Sequence, residues 1–123
     1  MKRFIFLWGP VLFFACIVFI GSSISHPLDK NPFPHFDKFA HLSEYGLFAL
    51  LLFRALNGTL SKKSFLLLAL ITVLITTGYG ASDEFHQYFV PGRTSEVKDL
   101  AADGLGSVLA MTLVFIKRRV FSR

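Results

Sequence analysis

The sequence carries one cysteine, Cys16, in 123 residues, which excludes an internal disulfide and any cysteine cluster for structural zinc or iron–sulfur. Charge is scarce as well. Asp, Glu, Lys and Arg make up only 17% of the chain, where a soluble domain carries about 25%. This excludes an ordinary water-facing globule and also a disordered chain, which is rich in charge and poor in aromatics. What is present is apolar: 53% hydrophobic residues, 15% aromatic, fifteen phenylalanines and a mean hydropathy of +0.55. A 13.8 kDa fold has too small an interior to hide that much apolar area in one core. The bilayer is the expected solvent, and lipid the first partner.

The net charge of +5 and pI of 9.7 would suit nucleic acid only if the basic residues formed a patch of their own. They flank apolar runs instead, where they meet anionic inner-leaflet lipid. No nucleic-acid partner is expected.

The expected fold is all-α: an integral membrane bundle of four transmembrane helices, at about 4–21, 39–56, 65–89 and 96–116, in a single domain over 1–123. The first run, FIFLWGPVLFFACIVFIG, follows Lys2 and Arg3 and reaches about 27 Å at 1.5 Å per residue. It is longer than the roughly 7–15 apolar residues of a signal peptide, and Gly21 to Ser25 is a poor cleavage site, so a retained helix is expected. Phe13 and Phe14 also disfavour a lipobox at Cys16. The second run is broken only by His41, Glu44 and Arg54; the third is FLLLALITVLITTGYGA; the fourth has Lys98, Asp99 and Asp103 near its start. Pro27, Pro32 and Pro34 are expected to hold Ser22 to Phe36 out of helix, and Pro91-Gly92 to end the third helix. Ser95 is the expected N-cap of the fourth, with Glu96 in its first turn.

Lysines and arginines set the orientation. With both termini cytoplasmic, the inner segments hold Lys2, Arg3, Arg54, Lys62, Lys63, Lys117, Arg118, Arg119 and Arg123, against Lys30, Lys38, Arg93 and Lys98 outside. All eight carboxylates and all four histidines then fall on the outer side of a bacterial inner (plasma) membrane.

Charged groups within spanning helices cost about 2.5–3.5 kcal/mol each on insertion scales, so those present tend to face one another or a wet cavity. Here they form stripes. Asp37, His41 and Tyr45 recur every four residues, with Glu44 three after His41; Glu96, Asp99, Asp103 and Ser107 recur at three and four. If the third helix extends past Ala81, Asp83 and Gln87 share a face, flanked by Glu84 and His86. The stripes converge from the outer interface to roughly 7 Å below it at Asp103. Asp29, Lys30, Glu96 and Lys98 read as interfacial residues reaching water. Asp103 and Glu44 are too short to do so and need partners, for which Arg93, Lys38, His41 and Tyr45 are the candidates. A purely structural ion-pair cluster remains an alternative. Ala102, Gly106 and Ala110, and Thr76 with Gly80, repeat every four residues, the small-residue spacing that lets helices approach.

Asp37-Lys38-Phe39-Ala40-His41, Tyr45-Gly46, Ser82-Asp83-Glu84-Phe85-His86-Gln87, Pro91-Gly92-Arg93 and Asp99-Leu100-Ala101-Ala102-Asp103-Gly104-Leu105-Gly106 together resemble the VanZ-like family of small membrane proteins. The resemblance covers most of the chain from Asp37 to Gly106, in the family's order and spacing. Asp103 stands where that family usually has asparagine. The resemblance implies a cell-envelope membrane protein, in a family whose founding member is associated with low-level resistance to teicoplanin. A phosphotransbutyrylase activity, a label some relatives carry, would need a soluble domain and is not expected here.

Two function classes stay open. One is an outward-facing site that binds or remodels a lipid-linked or amphiphilic envelope ligand, with Arg93 and Lys38 on an anionic headgroup and Tyr45, Glu44, Gln87, Asp99 and Asp103 orienting its hydroxyl or amine groups. The other is an intramembrane hydrolase or group transferase on a lipid-linked substrate. His41 would be its general base, oriented by Asp37 or Glu44, with Glu84 as acid, Asp83 beside it and Arg93 stabilising negative charge. No cofactor motif is present. Asp83, Glu84, Asp99 and Asp103 with His41 and His86 have the ligand types for a divalent metal, without HExxH or comparable spacing. Transport is disfavoured by the absence of a broken helix pair or inverted repeat, and no oligomeric state is indicated.

Overall fold

A computed structural model describes residues 1–25 and 35–121. It has four helices, α1 (Lys2–Ser23), α2 (Phe36–Thr59), α3 (Phe65–Gln87) and α4 (Val97–Phe121), and no strand among the described residues. Each is long and apolar enough to cross a membrane. Pro27, Asp29, Lys30, Pro32, Pro34 and Arg123 lie outside the described residues.

Three of the helices outrun the apolar stretches that mark them. Hydropathy sees only the hydrocarbon-level turns, whereas Phe36–Lys38, Asn57–Thr59 and Lys117–Phe121 continue the backbone ladder as interfacial turns. Ser22 and Ser23, expected outside helix, are its last turn in α1. Both hydroxyls donate to the Phe19 carbonyl, at 2.9 and 2.7 Å, which lets serine finish a helix in apolar surroundings. At the other boundary α3 stops at Gln87, short of residue 89. Tyr88 and Phe89 tighten into turns, and a Val90–Arg93 turn follows with Pro91 and Gly92 at its centre, closed by Arg93 N–H on the Val90 carbonyl at 3.1 Å. Gly92 has φ 78°, as a type II turn requires at that position.

Pro10 sits inside α1 and cannot donate to the carbonyl four residues back, that of Phe6. Arg54 of α2 fills the vacancy: its Nη1 donates to the Phe6 carbonyl at 3.3 Å, and its guanidinium lies 4.4 Å from the centre of the Phe6 ring.

The bundle is tightest between α2 and α4. A Cβ built on Gly106 would fall on the Leu42 carbonyl, and one on Gly46 would lie 3.3 Å from the Gly106 carbonyl oxygen, so the two backbones are in direct contact. Below that crossing lies the apolar core of Phe48, Ala49, Leu52, Phe53, Leu56, Leu68, Ala110 and Met111. Thr76 Oγ1 and Ser107 Oγ meet at 2.8 Å across α3 and α4, and each hydroxyl also bonds the carbonyl four residues back. Helix α1 packs on α2 and α3 and away from α4. Phe13, Leu66, Leu74 and Leu113 lie on the outer surface at 63–73% exposure, which in water would be a liability and in lipid is the matching solvent.

The start of α1 and the end of α4 share one end of the bundle. There Arg3 reaches the Gly58 carbonyl, Trp8 reaches Thr59, and Arg118 reaches Asn57. At the opposite end Ser23 meets His86 and Lys38 meets Glu96.

Candidate functional site

The polar stripes of α2, α3 and α4 converge at the end away from the termini. Asp83, Glu84, Asp99 and Asp103 are all buried, Asp103 to 1% exposure and Tyr45 to 0%. Three features of the chain bring them together. The glycine contact between α2 and α4 sets His41 against the first turns of α4. Gly80 makes room in α3: a Cβ there would meet the Asp103 carboxylate and, at 3.2 Å, the Tyr45 ring. Glu84 Oε2 accepts the Glu96 N–H at 2.9 Å, pinning the end of α3 to the start of α4. Glu96 thus takes the cap position expected of Ser95. Its carbonyl receives the Asp99 and Leu100 N–H groups, while Ser95 lies one residue further out.

His41 Nδ1–H donates to Asp103 Oδ1 at 2.9 Å, and the imidazole stacks parallel to the Tyr45 ring with centroids 6.4 Å apart. Among the four candidate partners for Asp103, His41 is the one that binds it. Lys38 Nζ is held by Asp37 at 2.7 Å and Glu96 at 2.9 Å, and lies 2.6 Å from Asp99 Oδ1 in an ion pair outside hydrogen-bond geometry. Glu96 is therefore a partner in the site, not only a residue reaching for water, whereas Lys98 is exposed. Gln87 Nε2 donates to Asp83 Oδ2 at 3.1 Å, in line with their shared face.

Other expected members stand apart. Asp37 is half-buried at the rim, bonded to Lys38 and not to His41. Glu44 is half-buried and makes no hydrogen bond or ion pair among the described residues. Arg93 serves neither Asp103 nor Glu44: its Nε and Nη2 donate to the Ile24 and Gly21 carbonyls, at 3.0 and 2.5 Å, closing the C-terminus of α1. His86 turns to α1, 3.0 Å from Ser23 Oγ with its ring on Phe19.

Six buried side-chain oxygens have no hydrogen-bond partner among the described residues: Tyr45 OH, Thr77 Oγ1, Asp83 Oδ1, Glu84 Oε1, Asp99 Oδ1 and Asp103 Oδ2. Five belong to this cluster. Side chains from three different helices can also converge on one point, since one ligand atom from each of His41, Glu84 and Asp99 falls within 4.8 Å of the others. The roles of Gly80 and Glu96 are not legible in the sequence. A glycine opposite a carboxylate leaves no local pattern, and a carboxylate beside a helix start looks like any interfacial acid.

Residues 4–118 match the family model described as VanZ/LLP1. The chain belongs to the VanZ/LLP1 family. Compared with curated proteins and with solved structures, it has no match in either. As a VanZ-like protein with four helices able to span a bilayer it is a multi-pass membrane protein, and the four acids, His41 and Tyr45 are placed on one level of that bundle. A concavity lined by Val114, Lys117, Arg118 and Phe121 lies at the other end and holds no carboxylate.

Proposed function

We propose that this VanZ-like protein resides in the bacterial plasma membrane with its polar cluster facing away from the cytosol, where it binds or remodels the polar head of a lipid-linked or amphiphilic envelope ligand. The observation that carries the reading is the set of unpartnered oxygens on Asp83, Asp103 and Tyr45. Buried polar groups without partners are costly and uncommon, and a ligand donating from hydroxyl or amine groups would satisfy them. The charge distribution supports the orientation: Lys2, Arg3, Arg54, Lys62, Lys63, Lys117, Arg118 and Arg119 gather toward the end with the termini, and Lys38, Arg93 and Lys98 toward the other. Lys38 keeps a place in the headgroup reading because it stands at the rim of the cluster. Arg93 contributes by fastening α1 beside it, and a part in glycopeptide resistance is the family-level extension of this reading.

A second reading, intramembrane hydrolysis or group transfer, is favoured by one contact. The Asp103–His41 hydrogen bond fixes the ring and leaves Nε2 as the nitrogen available for a proton, the arrangement of a positioned general base. Native mass spectrometry of the protein extracted with its lipids tests the first reading. Wild type is expected to retain a bound amphiphile that Asp83→Asn and Lys38→Ala release in part. An identical bound-lipid profile in all three would remove the binding assignment. Collapse of a turnover signal in a single variant, with the bound lipid unchanged, would favour the enzyme.

A further inference from the structure

We infer that His41, Glu84 and Asp99 form a site for one divalent transition cation, Zn²⁺ or Mn²⁺, at the junction of α2, α3 and α4. Their ligand atoms lie within 4.8 Å of one another, close enough to share one ion. Two further observations point to an ion and not to a mere acidic cluster. Glu84 is 6% exposed and its Oε1 has no partner, although its Oε2 is committed to the Glu96 N–H; Asp99 is 5% exposed and its Oδ1 already faces a cation, the Lys38 ammonium. The second is the state of the imidazole. A metal-bound histidine nearly always gives its other ring N–H to a carboxylate or carbonyl, and His41 gives Nδ1–H to Asp103, which leaves Nε2 as the ring nitrogen free to ligate.

The donor set decides the class of ion. One imidazole nitrogen and two carboxylates suit zinc or manganese, whereas an all-oxygen cage would suit calcium or magnesium and thiolates would be needed for softer ions. Three protein ligands leave at least one position for water or for an anionic oxygen from outside. Lys38 is the competing cation, 2.6 Å from Asp99 Oδ1. It has two other carboxylates, on Asp37 and Glu96, so it can release Asp99 and remain paired. His86, although a metal-ligand type in the same segment as Glu84, is spent on Ser23 and Phe19.

The site stands on donor geometry and does not rest on the lipid-ligand reading, so it is tested without lipid ligand. Full-length protein in detergent micelles, stripped with chelator and titrated calorimetrically with ZnCl₂ and separately with MnCl₂, should take up one ion per chain. Glu84→Gln and Asp99→Asn should each weaken uptake at least ~10-fold, and Lys38→Gln should tighten it. Absence of uptake of either ion, or uptake unchanged in both carboxylate variants, overturns the proposal. Should those variants fail to fold, pulsed electron paramagnetic resonance of wild type loaded with Mn²⁺ and labelled with ¹⁵N-histidine decides the matter. A directly coordinated imidazole nitrogen is expected, and a spectrum without one overturns the site.

Discussion

His41 of α2 and Asp103 of α4 are joined by a 2.9 Å hydrogen bond one helical turn from the place where Gly106 lies against the Leu42 carbonyl. Close backbone approach and buried polar contact are thus neighbours in one structural unit, since a side chain at 106 would collide with the Leu42 backbone beside His41. Asp103 stands where the resembling sequences usually carry asparagine, and an amide oxygen can accept the same imidazole N–H. Asp103→Asn is therefore expected to be mild. Asp103→Ala should cost ~1–3 kcal/mol by leaving a buried N–H unsatisfied, read from thermal or denaturant unfolding in detergent. Equal losses in the two variants would show that the hydrogen bond is not what matters.

Gly106→Ala should be among the more damaging one-carbon changes in the chain. Its Cβ would meet backbone, which cannot swing aside, and a forced separation of α2 and α4 costs on the order of 1–3 kcal/mol. Gly78→Ala is the comparison, because nothing lies within 4 Å of a Cβ there and alanine is the better helix former by about 1 kcal/mol. Unfolding midpoints should move in opposite directions, and a parallel shift would argue against the glycine crossing.

Arg93→Lys keeps the charge but cannot reproduce the two-pronged contact with the Gly21 and Ile24 carbonyls. Faster hydrogen exchange is expected at the end of α1, with α4 unaffected. Exchange unchanged at residues 21–25 would mean that the guanidinium does not hold that helix.

Pro10 and Arg54 should be energetically coupled. Arg54→Leu leaves the Phe6 carbonyl without its donor, a loss of ~0.5–1.5 kcal/mol. In a Pro10→Ala background residue 10 can bond that carbonyl itself, so the same Arg54 change should cost less. A double-mutant cycle measures the difference, and strict additivity would refute the compensation.

Orientation is open to direct measurement. In a Cys16→Ala background, a membrane-impermeant maleimide applied to intact cells should label Lys98→Cys, and should label Lys62→Cys only after permeabilisation. The reverse pattern would put the polar cluster on the cytosolic side.

The four spans are legible in the sequence because, in a chain this poor in charge, apolar runs near 18 residues seldom arise except where a helix crosses lipid. The stripe logic also carries. His41 and Tyr45, then Asp83 and Gln87, then Asp99 and Asp103 do share faces, since helical spacing alone dictates it. Partners are harder to read. Arg93 looks like the natural mate for a buried acid, yet the turn at Pro91-Gly92 aims it at α1, a direction that no local pattern encodes. Glu96 and Glu84 sit twelve positions apart along the chain, and their contact exists only because α3 and α4 fold back at that turn. Helix ends differ from expectation for a related reason: serine and lysine at an interface can continue a helix or leave it, and hydrogen bonds from side chain to carbonyl decide which.

The proline in α1 also bears on the order in which the chain is made. The ribosome completes the first span well before Arg54 emerges, so α1 enters the bilayer with the Phe6 carbonyl lacking its eventual donor. Only when the second span arrives does that oxygen gain a donor from the protein itself. The opening hairpin, and not the opening helix, is then the smallest piece in which the chain itself caps the carbonyl that Pro10 leaves open.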